Sequence, residues 1–385
     1  MKKPPHITTD PDSPRLLLLR GNVQSGSGRA RKSVMAILAF LVVVLIIFVW
    51  IYLTRQLHPG PQSVLTTTTT SPLSQVEPPR RDGSLAYDPV HQEVLLFGGT
   101  VMTPAGVQTN DTWAWNGQTW RQLHPTTSPP ALQGTMLYDA ASQQMILFLN
   151  QVQSGGMVAN EMWAWDGSTW HQLQPPSMPE VLGASMAYDA AQGQIVLFGG
   201  EIPSTGSMST FTNATWTWNG TTWQEQQPTT SPSPRAGAAM AYDGAHQQIV
   251  LFGATTQDGL SSETWTWDGT TWQQQHVTSQ PATRQNALLV YDSATQQTLL
   301  FGGINAEGTQ PASSETWAWN GNSWTRVSDQ GAPTDLYESG AYDDTTRTVI
   351  VYAVQGSLNK LDTPDTPSPV SQTWIWNGTT WKLLA

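Results

Sequence analysis

A unit of about 50 residues recurs six times between Arg80 and Ala385. Each unit begins with a Tyr-Asp pair, and successive tyrosines are 51, 50, 54, 49 and 51 residues apart. The six pairs are Tyr87-Asp88, Tyr138-Asp139, Tyr188-Asp189, Tyr242-Asp243, Tyr291-Asp292 and Tyr342-Asp343. A repeat this regular predicts one supersecondary unit per period, which buries its apolar faces against its neighbours.

The content of each unit predicts four short strands. A run such as Val94–Phe97 is too short for a helix and is typical of a buried strand, and a Gly pair commonly follows it. A variable stretch then leads to Trp-x-Trp-[Asn/Asp]-Gly-x-[Thr/Ser]-Trp, which predicts a hairpin. If Asn116-Gly117 forms a two-residue type I′ turn, Trp115 pairs with Gln118 and Trp113 faces Trp120.

Six such units resemble the kelch repeats found in the central domain of galactose oxidase. The resemblance rests on the strand-end Gly-Gly pairs, the Tyr before each hairpin, and the Trp seven residues after the first of each Trp-x-Trp. It implies an all-β fold, a six-bladed kelch-type β-propeller over 80–385. Units two, four and six depart from it, with Leu149-Asn150, Gly253-Ala254 and Ala353-Val354 instead of Gly-Gly. The period is too long for WD40 repeats.

The segment before the repeat predicts a membrane anchor. Residues 1–33 form a basic tail with a net charge of +5, and Val34–Leu53 is a 20-residue run without a charge. At 1.5 Å per residue this run spans the hydrocarbon core as one transmembrane helix. Residues 54–79 are a Thr/Ser/Pro-rich stalk, and the chain after residue 33 carries a net charge of −16.

This charge distribution favours a single-pass signal-anchor with a cytoplasmic N-terminus and an extracytoplasmic propeller, typical of a bacterial envelope protein. The alternative is a cleaved signal peptide, but the basic region is long and no Ala-x-Ala pattern follows the apolar run. The overall charge of −11 argues against a nucleic-acid partner.

Arginines at three equivalent positions are the candidate ligand-binding residues. Arg80, Arg235 and Arg284 stand seven residues before their tyrosines, which the kelch resemblance places near the channel mouth. Guanidinium groups there suit a carboxylate, with Glu338 as an accompanying acid. The alternative is that the arginines pair with acidic residues between blades.

The connections between second and third strands vary from 9 to 18 residues in length. Since recognition is usually built on variable loops of a rigid scaffold, we expect the ligand face there. It includes Thr100–Asp111, Glu201–Ala214 and Gln355–Gln372.

Other residue patterns have structural interpretations. The Asp after each Tyr is expected to cap a turn rather than bind calcium. The 18 Trp of the repeat are expected to be blade core rather than sugar-stacking platforms. There is no Cys and no close His pair, so we expect no metal site and no cofactor.

The sequence favours a binding or interaction module for an extracellular protein or glycan over an enzyme. The alternative function is an extracytoplasmic sugar-acid epimerase or mutarotase of kelch type, which needs only a channel-mouth arginine and an acid. All six units are complete in sequence, so the ring is expected to close by packing alone or with a contribution from 54–79.

Overall fold

The computed structural model describes residues 77–384 except 104, 154–156, 204–208, 306–313, 334–338 and 356–368. Within these residues every regular element is a β-strand. The same residues contain no helix long and apolar enough to cross a membrane. The predicted tail, the predicted span Val34–Leu53 and most of the predicted stalk lie outside the described residues.

Six antiparallel sheets follow one another along the chain, each with four principal strands. Sheet 1 contains β1 (Arg80–Arg81), β2 (Ser84–Asp88), β3 (Glu93–Val101), β4 (Val107–Trp115) and β5 (Trp120–Leu123). Sheet 2 contains β6 (Gly134–Asp139), β7 (Gln144–Leu149), β8 (Glu161–Trp165) and β9 (Trp170–Leu173). Sheet 3 contains β10 (Ser185–Asp189), β11 (Gln194–Phe198), β14 (Thr215–Trp218) and β15 (Trp223–Gln226), with the short strands β12 (Glu201–Ile202) and β13 (Thr210–Phe211) between them.

The other three sheets repeat this order. Sheet 4 contains β17 (Ala239–Asp243), β18 (Gln248–Phe252), β21 (Thr264–Trp267) and β22 (Trp272–Gln275), accompanied by β16 (Arg235–Ala236), β19 (Thr255–Thr256) and β20 (Gly259–Leu260). Sheet 5 contains β23 (Leu288–Asp292), β24 (Gln297–Phe301), β25 (Thr316–Trp319) and β26 (Trp324–Ser328). Sheet 6 contains β27 (Ser339–Asp343), β28 (Thr348–Gln355), β29 (Val370–Trp376) and β30 (Trp381–Leu383).

The second strand of each sheet is buried on both faces, which explains its continuous apolar run. In β11, Ile195 and Leu197 pack against sheet 2, whereas Val196 and Phe198 pack against sheet 4. Because alternate side chains point to opposite faces, both faces of the strand need apolar residues. The hydrophobic core is therefore a series of layers between neighbouring sheets.

The hairpin between third and fourth strands differs from the predicted register. Trp115 pairs with Trp120, and Trp113 pairs with Gln122, so the prediction that Trp113 faces Trp120 is wrong. The loop has four residues because the Asn116 side chain accepts hydrogen bonds from the backbone N–H of Gln118 and Thr119, at 3.0 and 2.9 Å. Gly117 alone adopts a positive φ, of 91°, where a type I′ turn needs two such residues.

The third tryptophan of each repeat joins neighbouring sheets. Trp170 Nε1 in sheet 2 donates to Thr112 Oγ1 in sheet 1 at 2.9 Å, and Trp120 Nε1 donates to Thr373 Oγ1 in sheet 6 at 2.9 Å. Equivalent bonds recur in sheets 4, 5 and 6, while Trp223 in sheet 3 contacts the sulfur of Met162. The predicted core role of the tryptophans is confirmed for these residues.

The aspartate after each tyrosine caps the turn between the first and second strands, as predicted. Asp88 Oδ1 accepts from the backbone N–H of Val90 and His91, at 2.9 and 3.2 Å. Asp139, Asp189, Asp243, Asp292 and Asp343 accept from the residues two and three positions after them in the same way.

The first strands contact one another in cyclic order. β2 contacts β6, β6 contacts β10, and the order continues through β17, β23 and β27 back to β2. The sheets therefore surround a central channel, an arrangement compatible with a β-propeller. We call the contact between sheets 6 and 1 the closing junction.

The residues just before sheet 1 lie across the closing junction. The backbone N–H of Met102 in sheet 1 donates to Pro79 O at 2.8 Å, and Ser371 Oγ in sheet 6 donates to Glu77 O at 3.1 Å. The backbone N–H of Arg80 donates to Tyr352 Oη at 3.3 Å. Sheets 1 and 6 each take their own four principal strands from one continuous stretch of chain. Of the segment 54–79, the structure describes residues 77–79, and these contribute to the closing junction.

Candidate functional site

The second-to-third-strand connections and the segments that precede each first strand meet at one end of the sheets, which we call the loop end. Arg80, Arg235 and Arg284 lie in these preceding segments, and all three side chains are fully buried. Their backbones contact one sheet and their guanidinium groups contact the next. For example, the carbonyl oxygen of Arg235 accepts a hydrogen bond from the backbone N–H of Gly200 in sheet 3. Its Nη1 donates to the carbonyl oxygen of Gly253 in sheet 4.

Arg80 is the most fully paired of the three. Its Nη1 and Nη2 donate to the two carboxylate oxygens of Asp111 at 2.6 and 3.0 Å, and its Nε lies 2.9 Å from Glu77 Oε1. Nη1 also donates to Gly98 O at 2.9 Å. The bidentate geometry is the one in which a guanidinium binds a carboxylate most strongly.

The pKa values of the two acids beside Arg80 are shifted in opposite directions. Burial raises the pKa of Glu77 to about 8, although the charge of Arg80 opposes the shift. The pKa of Asp111 is lowered: burial raises it, but the hydrogen bonds and charge of Arg80 outweigh that effect. At neutral pH the arrangement is therefore one guanidinium, one carboxylate and one largely protonated carboxyl group.

Arg235 has one acidic partner. Its Nη2 donates to Glu263 Oε2 at 2.5 Å and to Ser233 Oγ at 2.9 Å. Burial lowers the pKa of Arg235 despite this partner, and the guanidinium lowers the pKa of Glu263 against the opposing effect of burial.

Arg284 is the least satisfied. It donates to Gly302 O at 3.0 Å and to Ala282 O at 3.2 Å, but its Nη2 has no hydrogen-bond partner among the described residues. Burial lowers the pKa of Arg284, and the more distant charge of Glu315 only partly offsets this effect. Glu315 itself accepts from Arg326 Nη1 at 2.6 Å.

The structure thus places the three predicted arginines between neighbouring sheets. This location agrees with the alternative interpretation, in which the arginines make contacts between blades and do not bind a ligand. None of them presents an exposed guanidinium to a ligand. Glu338, the predicted accompanying acid, lies outside the described residues. The ligand-binding role of these four residues stays a prediction.

The central channel has a volume of about 370 Å³ near the loop end. Small side chains line it at equivalent positions of the first strands, including Ser84, Thr135, Ser185 and Ala239. Asn150 and Asn286 add amide groups, and no charged side chain lines this part of the channel among the described residues. Its chemistry suits water or a small uncharged group rather than a carboxylate.

The connections at the loop end differ from sheet to sheet. β3 and β4 extend as a two-stranded ribbon in sheet 1, and β28 and β29 extend in the same way in sheet 6. Sheet 3 instead has the separate pair β12 and β13, and sheet 4 has β19 and β20. At the opposite end, the third-to-fourth-strand turns share one hydrogen-bonding pattern.

Sequence reasoning missed Glu77 and Tyr352, which complete the surroundings of Arg80. Glu77 lies in a segment of low complexity, and Tyr352 replaces a phenylalanine found in five of the six repeats. That replacement is a usable signal, because it places a hydroxyl group where the other units have none. The described residues contain no cluster of His, Asp or Glu that could hold a metal ion.

No family model matches the chain, and no curated protein matches it. Solved structures do match, among them the structure of YjhT, a kelch-type propeller. The similarity covers 80% of this chain and 98% of YjhT, with a TM-score of 0.56 and 13% sequence identity. At this identity the likeness concerns the fold, which is all-β and propeller-like.

Proposed function

We propose that the chain is a six-bladed kelch-type propeller that acts as a binding module, with its ligand face at the loop end. The six sheets are the blades, and the cyclic contacts of their first strands support this assignment. The ligand is an extracellular protein or glycan. This function uses a rigid scaffold to present connections of different length and shape.

The burial of Arg80, Arg235 and Arg284 is the observation that carries the proposal. Each guanidinium is held by backbone carbonyls and, in two cases, by carboxylates of the scaffold. Releasing one to bind a substrate would leave buried acceptors unpaired, which is strongly unfavourable. The scaffold therefore uses these residues, and the exposed connections are left for recognition.

The alternative, a sugar-acid epimerase or mutarotase, needs a cation beside the channel to hold the carboxylate of the sugar. The described channel lining offers none. We therefore propose no catalytic role, and a direct assay checks it: nuclear magnetic resonance follows anomer exchange of sialic acid with and without the full-length chain. Exchange above the rate in buffer would favour the enzyme.

We further propose that Val34–Leu53 anchors the chain in a membrane, with residues 54–76 as a stalk and the propeller outside. The basic residues before the apolar run and the acidic chain after it support this orientation. Protease treatment of intact cells is expected to degrade the C-terminal part. Survival of that part would contradict the orientation.

Because the chain contains no Cys, one introduced cysteine can be labelled selectively. Gln108→Cys and Gln257→Cys place the label at the loop end, and Gln118→Cys places it at the opposite end; all three positions are exposed. Each is coupled to the same polyethylene glycol maleimide, and binding to arrays of peptides and glycans is measured. We expect loss of binding for the first two and full binding for the third; the reverse result would contradict the proposed face.

A further inference from the structure

Exposed aliphatic side chains concentrate in the connections at the loop end. Five of the nine large hydrophobic residues exposed in the described part lie there. They are Val107, Val152, Met157, Ile202 and Val370, and we call them the aliphatic loop patch. They belong to sheets 6, 1, 2 and 3, which are consecutive around the ring. Exposed apolar residues gathered at one end of a molecule are typical of an interaction surface.

Backbone pairing holds members of this patch in place. Val107 pairs with Val101 across the sheet 1 ribbon, and Val370 pairs with Gln355 across the sheet 6 ribbon. Ile202 pairs with Thr210, and Val152 forms a bridge with Val158. The apolar side chains are thus presented by ordered backbone, which lowers the entropy lost when a partner binds.

The charge of the same connections is strongly negative. They contain nine acidic residues and a single basic one, Lys360. Asp111, Glu263 and Glu315 are paired with arginines. Glu161, Glu201 and Asp258 form no ion pair within the described part of the chain. Arg80, Arg235 and Arg284 at this end are buried, and the partly exposed Arg81 lies 3.7 Å from the carboxylate of Asp82. The loop end therefore presents an acidic surface, which favours a cationic partner.

Aromatic side chains are nearly absent from these connections. They contain no Trp or Tyr and one Phe, Phe211. Flat aromatic faces are the groups that cover the apolar side of a sugar ring, and the tryptophans that supply them elsewhere in the repeat are committed to the core. An acidic, aliphatic surface without such platforms fits a polypeptide better than a glycan.

We infer that the loop end binds a cationic protein segment whose aliphatic side chains pack on the aliphatic loop patch. This rests on the proposed function, which places the ligand face at the loop end, and it adds the class of partner. The aliphatic residues contribute affinity through burial, and Glu161, Glu201 and Asp258 contribute attraction to lysine or arginine. The interaction is expected to weaken as salt is added.

The test uses the full-length chain and immobilised synthetic peptides of four classes. The peptides are cationic or anionic, each with or without Leu, Ile and Val, and immobilised glycans form a fifth class. We expect binding to the cationic aliphatic peptides. Val107→Ser and Val370→Ser should each weaken it about tenfold, the loss expected when a buried valine side chain is removed from an interface.

Matched variants separate this effect from general damage. Val90 is equally exposed but lies in a turn at the opposite end, so Val90→Ser should leave binding unchanged. Glu201→Gln with Asp258→Asn should weaken binding and reduce its salt dependence. Glu225→Gln, on the exposed side of an outer strand, should do neither.

The outcomes distinguish the two proposals. Binding to glycans alone, sensitive to labels at the loop end, would overturn the inference about the partner and leave the proposed binding function standing. Binding to peptides regardless of charge, or equal losses from Val107→Ser and Val90→Ser, would also overturn the inference. If no class binds, the cationic aliphatic partner is excluded. If only the label at the opposite end blocks binding, both the inference about the partner and the proposed ligand face are overturned.

Discussion

The closing junction and the junction between sheets 4 and 5 contain the same arginine in different surroundings. Arg80 has two carboxyl neighbours and the hydroxyl of Tyr352 near its backbone. Arg284 has carbonyl acceptors and one Nη2 group without a partner among the described residues. Both donate to the carbonyl of an equivalent glycine, Gly98 or Gly302, so the backbone framework is shared.

The difference follows from chain connectivity. Sheets 4 and 5 are joined by the peptide chain, which limits how far they can separate even when their side chains interact weakly. No such connection joins sheet 6 to sheet 1, whose strands lie at opposite ends of the repeat. The side chains and the segment Glu77–Arg81 must supply the restraint there. Of these two junctions, the one that lacks covalent continuity has a buried arginine held by the carboxylate of Asp111, whereas Arg284 at the other donates to backbone carbonyls.

Removing the two arginines tests this comparison most directly. Arg80→Met leaves the partly buried Asp111 without its cation and should lower the free energy of unfolding by about 2–3 kcal/mol. Arg284→Met removes a buried, poorly paired charge and should lower it by about 1 kcal/mol. Urea unfolding of the full-length chain, followed by tryptophan fluorescence, measures both. Equal losses would show that the closing junction has no special role.

The pH dependence of stability isolates Glu77. Its pKa is about 8 in the folded chain and near its ordinary value of 4.5 when unfolded, so the folded state binds more protons between these values. The contribution of Glu77 to stability is therefore fully present below about pH 4.5. It is lost as the pH rises to about 8. The loss is on the order of 5 kcal/mol.

Glu77→Gln should flatten this part of the stability profile, because glutamine has no proton to lose. Glu93→Gln serves as a control, since Glu93 pairs with the exposed Arg121 on the surface. Urea midpoints across the pH window measure both. A Glu77→Gln profile as steep as that of the unmodified chain would contradict the burial argument.

Removing a tryptophan–threonine hydrogen bond should lower the stability by the same amount at the closing junction as between other sheets. Thr373→Val at the closing junction and Thr112→Val between sheets 1 and 2 each leave a buried indole N–H without an acceptor. Each should lower the free energy of unfolding by about 1–2 kcal/mol. Thermal unfolding compares them. A clearly larger loss at Thr373 would mean that neutral contacts, and not only charges, distinguish the closing junction.

The smallest expected effect is an increase in the free energy of unfolding when Arg284 is given another hydrogen-bond acceptor. Ser233 gives Arg235 Nη2 an acceptor, and the equivalent residue before Arg284 is Ala282. Ala282→Ser should supply the missing acceptor and raise the free energy of unfolding by about 0.5–1 kcal/mol. The gain should vanish in an Arg284→Met background, as a double-mutant cycle would measure. A gain that persists there would have another cause.

Much of the fold was predictable because its signals are local. The apolar run of each second strand, the aspartate after each tyrosine and the asparagine or aspartate of each hairpin act within a few residues of themselves. The hairpin register was mispredicted because the asparagine side chain captures two backbone N–H groups and lengthens the loop, which the Asn-Gly pair alone does not indicate.

The candidate site was predictable only in its location. Variable connection lengths indicate the loop end, but they say nothing of which side chains become exposed there. Arg80, Arg235 and Arg284 have the sequence context of a ligand site, and only the packing of two sheets around each shows them to be buried. The aliphatic loop patch had no sequence signal, since an isolated valine in a connection is unremarkable.

By itself the sequence determined the number of repeats, their four-strand content and the capped turns. These follow from residue order and short-range backbone chemistry. The tertiary structure alone decided how the ring closes, where Arg80 meets Tyr352 across 272 residues of chain. It also decided which arginines have acidic partners. Such contacts depend on which sheets become neighbours, and a linear pattern does not contain that information until the first and last sheets meet.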